Sequence, residues 1–320
     1  MLRFCGLLVM MTSLWAGAAQ AGPIGFEVLA IPVAGDRPLQ VGVWYPSPDP
    51  QAPTRLGLDR QSVALGGALA GRALPLVVIS HGAGGWFGSH VDTARALADA
   101  GFVVAAVSHT GDTFDDRSRA LRMSDRVSHV SATIDRMQAW RAPGAIDPRR
   151  IGVFGFSSGG FTGLVAVGAQ PDLARLAPHC AAHPAFYDCS LSRQFAASAP
   201  TAPERWRRDP RIRAAVIVAP ALGFTFTPDG LRRVKVPLQL WRAEKDTILP
   251  HPFYAEAVHQ ALPAADYRLA AGADHFDFLP PCSEALARSA PYICGGGFDR
   301  TRFQPAFNAE VTTFFGKTLR

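Results

Sequence analysis

The apolar run Ile151-Gly152-Val153-Phe154 leads without a break into Gly155-Phe156-Ser157-Ser158-Gly159. A short β-prone run, then G-x-S-x-G, then small residues predicts a strand that turns abruptly into a helix with Ser157 at the apex. Such a turn strains the backbone of the central serine and leaves little room for side chains around it. Gly155 and Gly159 remove the Cβ atoms that would clash, and Gly160 and Gly163 let the following helix lie close on a sheet. A glycine-rich turn that merely contains a serine has the same five letters, so the rest of the chain must decide between the two.

The chain has 320 residues, of which 48% are hydrophobic, enough to bury a large core. Gly25 to Val33 and Leu39 to Tyr45 are expected to form a hairpin across Gly35-Asp36, followed by a proline- and glycine-rich connector from Pro46 to Gly71. Strands are then expected at Leu74 to Ser80, Gly101 to Ser108, Arg150 to Phe154, Ala214 to Ala219, Val236 to Arg242 and Asp266 to Leu269. Helices are expected at Ser89 to Ala100, Ser124 to Trp140, Ser158 to Ala169, His251 to Leu262 and Phe303 to Leu319. Short, continuous apolar strands alternating with helices predict a mainly parallel sheet covered on both faces, with antiparallel strands at the start: an α/β-hydrolase architecture. Residues 22–320 are expected to form one such domain, with 170–211 as an aperiodic excursion that serves as a cap, a lid or a stapled loop.

Residues 1–21 are expected to be an export signal. Arg3 supplies the positive start, Leu7 to Trp15 the short apolar stretch and Ala19-Gln20-Ala21 the cleavage site, which places the mature protein in the periplasm or outside the cell. The cysteines beyond it are Cys180, Cys189, Cys282 and Cys294. In an oxidising compartment they are expected to pair locally, Cys180 with Cys189 and Cys282 with Cys294. The net charge of +6 is scattered. Its densest pairs, Arg207-Arg208 and Arg232-Arg233, belong to no long basic run or nucleic-acid motif and read as solvated surface. No membrane-docking surface is identifiable, and oligomeric state is left open.

A serine hydroxyl becomes a nucleophile when an oriented base takes its proton. In sheets of this kind the partners follow the serine in the order acid, then histidine, on loops at the carboxyl ends of strands. Asp246 stands just past the strand ending at Arg242, and His275 follows the strand ending at Leu269. Asp274 and Asp277 flank His275, where neighbouring side chains diverge; Asp229 lies in a Pro-Asp-Gly turn, and Glu244 is a near neighbour of Asp246. His251 and His259 fall on or beside a helix, while His90, His109, His129, His179 and His183 precede the acid and break the order.

The strand Leu74 to Ser80 runs into His81-Gly82-Ala83-Gly84-Gly85-Trp86, where glycines let backbone amides face a developing oxyanion. The expected oxyanion donors are the N–H groups of Ala83 and Ser158, with His81 a structural residue of the turn. Trp86, Phe87 and Phe156 are candidates for the substrate pocket, although Trp86 and Phe87 could equally pack under the loop. The acidic stretch His109 to Asp116 lacks calcium-loop spacing and is expected to be a turn whose aspartates pair with arginines.

Taken with Ser80-His81-Gly82, the His109 to Asp116 loop and the Ile151 to Gly160 elbow, the downstream segments carry a resemblance. These are Asp209-Pro210-Arg211-Ile212, Lys245-Asp246, Gly272-Ala273-Asp274-His275-Phe276 and Gly297-Phe298-Asp299-Arg300. As a set they make the chain resemble the secreted α/β-hydrolases of the predicted dienelactone hydrolase group, which are similar to platelet-activating-factor acetylhydrolases. The resemblance implies hydrolysis of small carboxylic esters by Ser157, Asp246 and His275, with no cofactor and no metal. True dienelactone hydrolases use cysteine at the elbow; Ser157 stands here, which favours ordinary esters. A serine peptidase or amidase on the same scaffold is the rival enzyme, and a non-catalytic binding protein is the rival outside enzymes.

Overall fold

The structure is a computed structural model that describes residues 22–33 and 36–320. The expected export signal and the Gly35 half of the first turn lie outside the described residues. The described residues form ten strands: β1 (Ile24–Ile31), β2 (Leu39–Pro46), β3 (Ala52–Leu56), β4 (Asp59–Leu65), β5 (Leu74–Ser80), β6 (Val103–Ser108), β7 (Ile146–Phe156), β8 (Ile212–Val218), β9 (Leu238–Ala243) and β10 (Asp266–Ala270). Helices α1 (Val91–Asp99), α2 (Met123–Gln138), α3 (Ser158–Ala166), α4 (Leu176–Ala182) and α5 (Tyr187–Gln194) precede β8 or lie between the central strands. They are followed by α6 (Pro228–Leu231), α7 (Ala255–Ala261), α8 (Glu284–Ser289), α9 (Pro291–Cys294) and α10 (Arg300–Thr318).

The strands form one sheet in the order β10-β9-β8-β7-β5-β6-β2-β1-β4-β3. From β6 to β10 all pairings are parallel, whereas β2 lies antiparallel to both β1 and β6. This is the α/β-hydrolase architecture that the alternation of strands and helices predicts. The central strands are buried on both faces, which is why they read as unbroken apolar runs. Along β5, Leu76 and Val78 join a core shared with Val127, Val130 and Ile134 of α2 and Leu164 of α3. Val77 and Ile79 point the other way, toward Leu97 of α1 and Phe307, Val311 and Phe315 of α10.

The connector from Pro46 to Gly71 needs correction. It contains the hairpin β3–β4, and β4 adds to the sheet in parallel beside β1 through Gly25↔Ala64 and Phe26↔Leu65. The hairpin escapes a pattern reading because it lies at the sheet edge: Pro53 is tolerated there, and several of its side chains face water. Helices α8 and α9 are also unannounced in the sequence. Both are short and carry no fully buried residue, so they lack an apolar stripe. The disulfides Cys180–Cys189 and Cys282–Cys294 join the expected partners, stapling α4 to α5 and bringing the end of α9 back to the segment before α8.

Candidate active site

Ser157 sits between the end of β7 and the start of α3 with φ 56° and ψ −118°, a positive-φ conformation that costs a non-glycine residue free energy. Its backbone is held on both sides. Its N–H donates to Val218 O at 2.9 Å, and its carbonyl accepts from Phe161 N at 3.1 Å and Ala221 N at 3.0 Å. The glycines around it are required by contact: a Cβ on Gly155 would run into the Gly159 carbonyl, and one on Gly159 into the Ser80 carbonyl. On Gly160 a Cβ would stand 2.9 Å from Pro220 Cα. The glycines therefore let α3 start directly against the ends of β5 and β8.

His275 and Asp246 meet at the same carboxyl edge of the sheet. His275 Nδ1 and Asp246 Oδ2 are 2.9 Å apart, in a pair almost wholly removed from solvent. The other Asp246 oxygen accepts from Ile248 N at 3.1 Å and Leu249 N at 2.6 Å, which fixes the carboxylate plane. His275 opens a short 3₁₀ turn capped by Asp274, whose Oδ1 accepts from His275 N at 2.6 Å and Thr247 N at 2.7 Å. Burial works to raise the Asp274 pKa, but these hydrogen bonds outweigh it and hold the group below its usual value. Asp277 accepts from Asp274 N at 2.8 Å and pairs with Arg300 Nε at 2.9 Å. The two flanking aspartates thus hold the loop, while Asp246 holds the imidazole. The ring of Phe156, immediately before Ser157, lies 4.8 Å from that of His275.

The His81–Gly85 turn lies against the elbow, since a Cβ on Gly82 would be 3.3 Å from Ser157 Cβ. Ser158 opens α3, so its N–H has no acceptor within the helix, and Ala83 follows Gly82 in the turn. His81 accepts at Nε2 from His109 N at 3.1 Å, which leaves its proton on Nδ1 for the Gly82 carbonyl at 2.6 Å. Burial, and then the Arg126 charge, hold His81 well below the ordinary imidazole value. It is a neutral brace.

Beneath the turn lies an ion pair that the sequence reading missed. Arg126 of α2 donates through Nη1 to Asp112 Oδ2 at 2.6 Å, through Nε to Thr162 Oγ1 at 3.2 Å, and through Nη2 to the His81 carbonyl. Asp112 Oδ1 in turn accepts from Gly84 N at 3.2 Å and lies 3.2 Å from Arg117 Nε. One guanidinium therefore braces both the early turn and the helix that follows Ser157. The available signal was a charge on an apolar stripe: Arg126 lies on the same face of α2 as Val130 and Met137, where a cation needs a buried partner. Of the other aspartates in the His109–Asp116 loop, Asp116 pairs with Arg37 as expected, whereas Asp115 accepts from Thr113 Oγ1 at 2.6 Å.

The three aromatic pocket candidates are used differently. Phe156 is buried among His90, His275 and Phe278, where it supports the His275 ring. Phe87 packs over Gly42 beside Trp44. Trp86 covers Gly57 at the tip of the β3–β4 hairpin, with the exposed Phe114 on its edge. Trp86 and Phe87 are both half-buried.

The excursion 170–211 carries α4 and α5, which pack over the loops behind Ser157 and Asp246. Leu176 and Phe186 lie against a cluster formed by Ala221, Phe224, Leu249 and Tyr254, and His179 stacks on Phe224 at 3.6 Å. Tyr254 donates to the buried Asp188 Oδ1 at 2.9 Å. His179, Asp188 and Cys189 form a group with metal-ligand geometry, but the Cys189 sulfur is bonded to Cys180.

Comparison with known proteins agrees with this architecture. Residues 89–210 match the model of the prolyl oligopeptidase family. Among solved structures, the chain is similar to a ferulic acid esterase from Streptomyces cinnamoneus, with a TM-score of 0.63 and 22% identity over 95% of this chain and 92% of that one. No curated protein matches the chain.

Proposed function

We propose that the protein is a serine hydrolase that cleaves small carboxylic esters through an acyl-enzyme. The observation that carries this reading is the buried His275–Asp246 pair, 2.9 Å apart, at the sheet edge where Ser157 is held at positive φ. In the first step His275 Nε2 takes the proton of Ser157 Oγ as the oxygen attacks the ester carbonyl. Asp246 holds the Nδ1 proton and stabilises the imidazolium. The N–H groups of Ala83 and Ser158 bind the oxyanion; losing one such donor typically costs about 3–4 kcal/mol of transition-state stabilisation. Collapse of the tetrahedral intermediate expels the alcohol, protonated by His275. Water deprotonated by His275 then releases the acid by the same route in reverse. The mechanism calls for no cofactor or metal.

Serine at the elbow favours ordinary esters within the resemblance to the predicted dienelactone hydrolase group and the platelet-activating-factor acetylhydrolases. The fold neighbour being a ferulic acid esterase adds methyl ferulate to the substrates worth testing. The expected export signal and the two disulfides support a periplasmic or extracellular location. We read 170–211 as a cap on an otherwise single hydrolase domain. A second reading, peptidase or amidase, is favoured by the prolyl oligopeptidase match, which includes Ser157 but neither Asp246 nor His275.

A panel of p-nitrophenyl esters of graded chain length, methyl ferulate and matched anilides, run on the protein and on Ser157→Ala, tests these readings. Ester turnover that Ser157→Ala abolishes is expected. Retained turnover in that variant would refute the mechanism, and faster anilide than ester cleavage would favour the amidase. No turnover of any substrate would favour the binding protein.

A further inference from the structure

Arg208 of one arginine pair and both members of the other, which read as scattered surface charge, come together in the fold. Arg208, Arg232, Arg233 and Lys235 line one open cavity of about 680 Å³, together with Gln170 and Trp206. It lies at the amino ends of β8 and β9, whereas Ser157, Asp246 and His275 lie at the carboxyl ends of β7, β9 and β10. The length of a strand, about 20 Å, separates the two places.

Three chain segments are fastened together to make this cavity. Asp209 N donates to Ala166 O at 2.8 Å, tying the 206–209 segment to the end of α3. Gln170 N donates to Gly230 O at 2.9 Å, and a Cβ on Gly230 would strike the Gln170 carbonyl. Gly168 has φ +119°, and a Cβ there would stand 3.1 Å from Arg233 O, so glycine lets the 232–235 segment close against α3. Val234 is buried and pins that segment, which leaves Arg232, Arg233 and Lys235 facing outward. Trp206 is anchored edge-on to Phe161 at 5.5 Å.

The charge in this cavity is not balanced by the protein. No carboxylate lines it, and none of the four cations has an ion-pair or side-chain hydrogen-bond partner among the described residues. The carboxyl end of α3 offers about half a negative charge, against four positive ones. Like charges collected on a concave wall raise the local potential and attract anions. Guanidinium forks match phosphate oxygens in pairs, and lysine adds a point charge.

We propose that this cavity binds an anion carrying two or more phosphate groups, at a site remote from the proposed hydrolytic centre and independent of it. Its phosphates engage Arg208, Arg232, Arg233 and Lys235, and Trp206 supplies one flat wall. Such a ligand has two sources, a soluble oligophosphate and the headgroup of a lipid that carries two phosphates, and the test separates them.

In the first arm inorganic tripolyphosphate is titrated calorimetrically into the full-length mature protein. In the second, vesicles of phosphatidylcholine alone, or mixed equally with cardiolipin, whose headgroup carries two phosphates, are sedimented with it. Each arm is run on the wild type and on Arg232→Ser/Arg233→Ser, whose exposed side chains support no packing. One tripolyphosphate per chain is expected, weakened about tenfold or more in the double variant and again by raising salt from about 0.05 to about 0.5 M. Unfolding temperature and ester turnover should stay unchanged in the variant. Binding confined to the cardiolipin vesicles and lost in the variant would assign the headgroup as the source. No binding in either arm, or equal binding by wild type and variant, would overturn the proposal.

Discussion

Replacing Arg126 by methionine tests whether the buried pair under the His81–Gly85 turn acts through position. The Arg126 and Asp112 side chains are 2% and 3% exposed, so neither charge is screened by water. Burial pushes the Asp112 pKa up in spite of Arg126 and Arg117, and burial pulls that of Arg126 down. The pair is therefore no large source of net stability. Removing one partner is a different matter, because it strands the other. Breaking such a pair costs about 3–5 kcal/mol. Arg117 Nε remains 3.2 Å from Asp112 Oδ1, so the lower end, about 3 kcal/mol, applies. For a chain of this size that lowers the unfolding temperature by about 5 °C.

The same substitution frees the His81 carbonyl and loosens Thr162, in the second turn of α3, displacing both proposed oxyanion donors. We expect kcat on p-nitrophenyl acetate to fall by about 10- to 100-fold at a temperature where the variant is folded, with KM nearly unchanged. Arg126→Met/Asp112→Leu removes both charges and should recover most of the stability while leaving kcat low. Circular dichroism melts and steady-state kinetics on the three proteins decide the matter. Full kcat in Arg126→Met, or a double variant that regains stability and activity together, would refute the positioning role.

Asp246→Asn keeps the size of the acid but loses its charge, and should lower kcat by about 10³–10⁴-fold with little change in melting temperature; a loss under tenfold would return the acid's role to another residue. Gly159→Ala drives a Cβ into the Ser80 carbonyl and should cost about 3 kcal/mol or more, read as a lower urea midpoint. His90 is buried between Phe154 and Phe156 with neither ring nitrogen hydrogen-bonded, and burial lowers its pKa to about 3. The unfolded chain therefore binds its proton first. Stability is full above about pH 6.5 and declines as the pH falls toward 3, by about 2 kcal/mol from this group at pH 5. His90→Leu should remove that part of the acid sensitivity, so an unchanged difference between urea midpoints at pH 7 and pH 5 would contradict this account.

The central sheet was legible because its strands are buried on both faces and must be apolar throughout. The elbow was legible for a steric reason, since a serine at positive φ between crossing backbones requires glycines at fixed offsets. Asp246 and His275 could be picked out because topology places working loops after particular strands. The β3–β4 hairpin was not, because an edge strand that is half exposed has no apolar pattern to display. Trp86, Phe87 and Phe156 were named as pocket residues from their position beside the elbow, but position along the chain does not say which way a ring points. In the fold, Phe156 turns inward under His275, and Phe87 and Trp86 lie over Gly42 and Gly57.

By itself, then, the sequence determined the α/β architecture, the serine elbow, the candidate order of acid and base, and the local cysteine pairs. All of these are set by periodicity, steric need or short separation along the chain. Tertiary structure alone decided that Arg126 would find Asp112 beneath the early turn, and that Arg208 would share one cavity with the distant Arg232-Arg233 pair. Charge acts through space, and its partners are chosen by the closing of segments that are far apart in sequence.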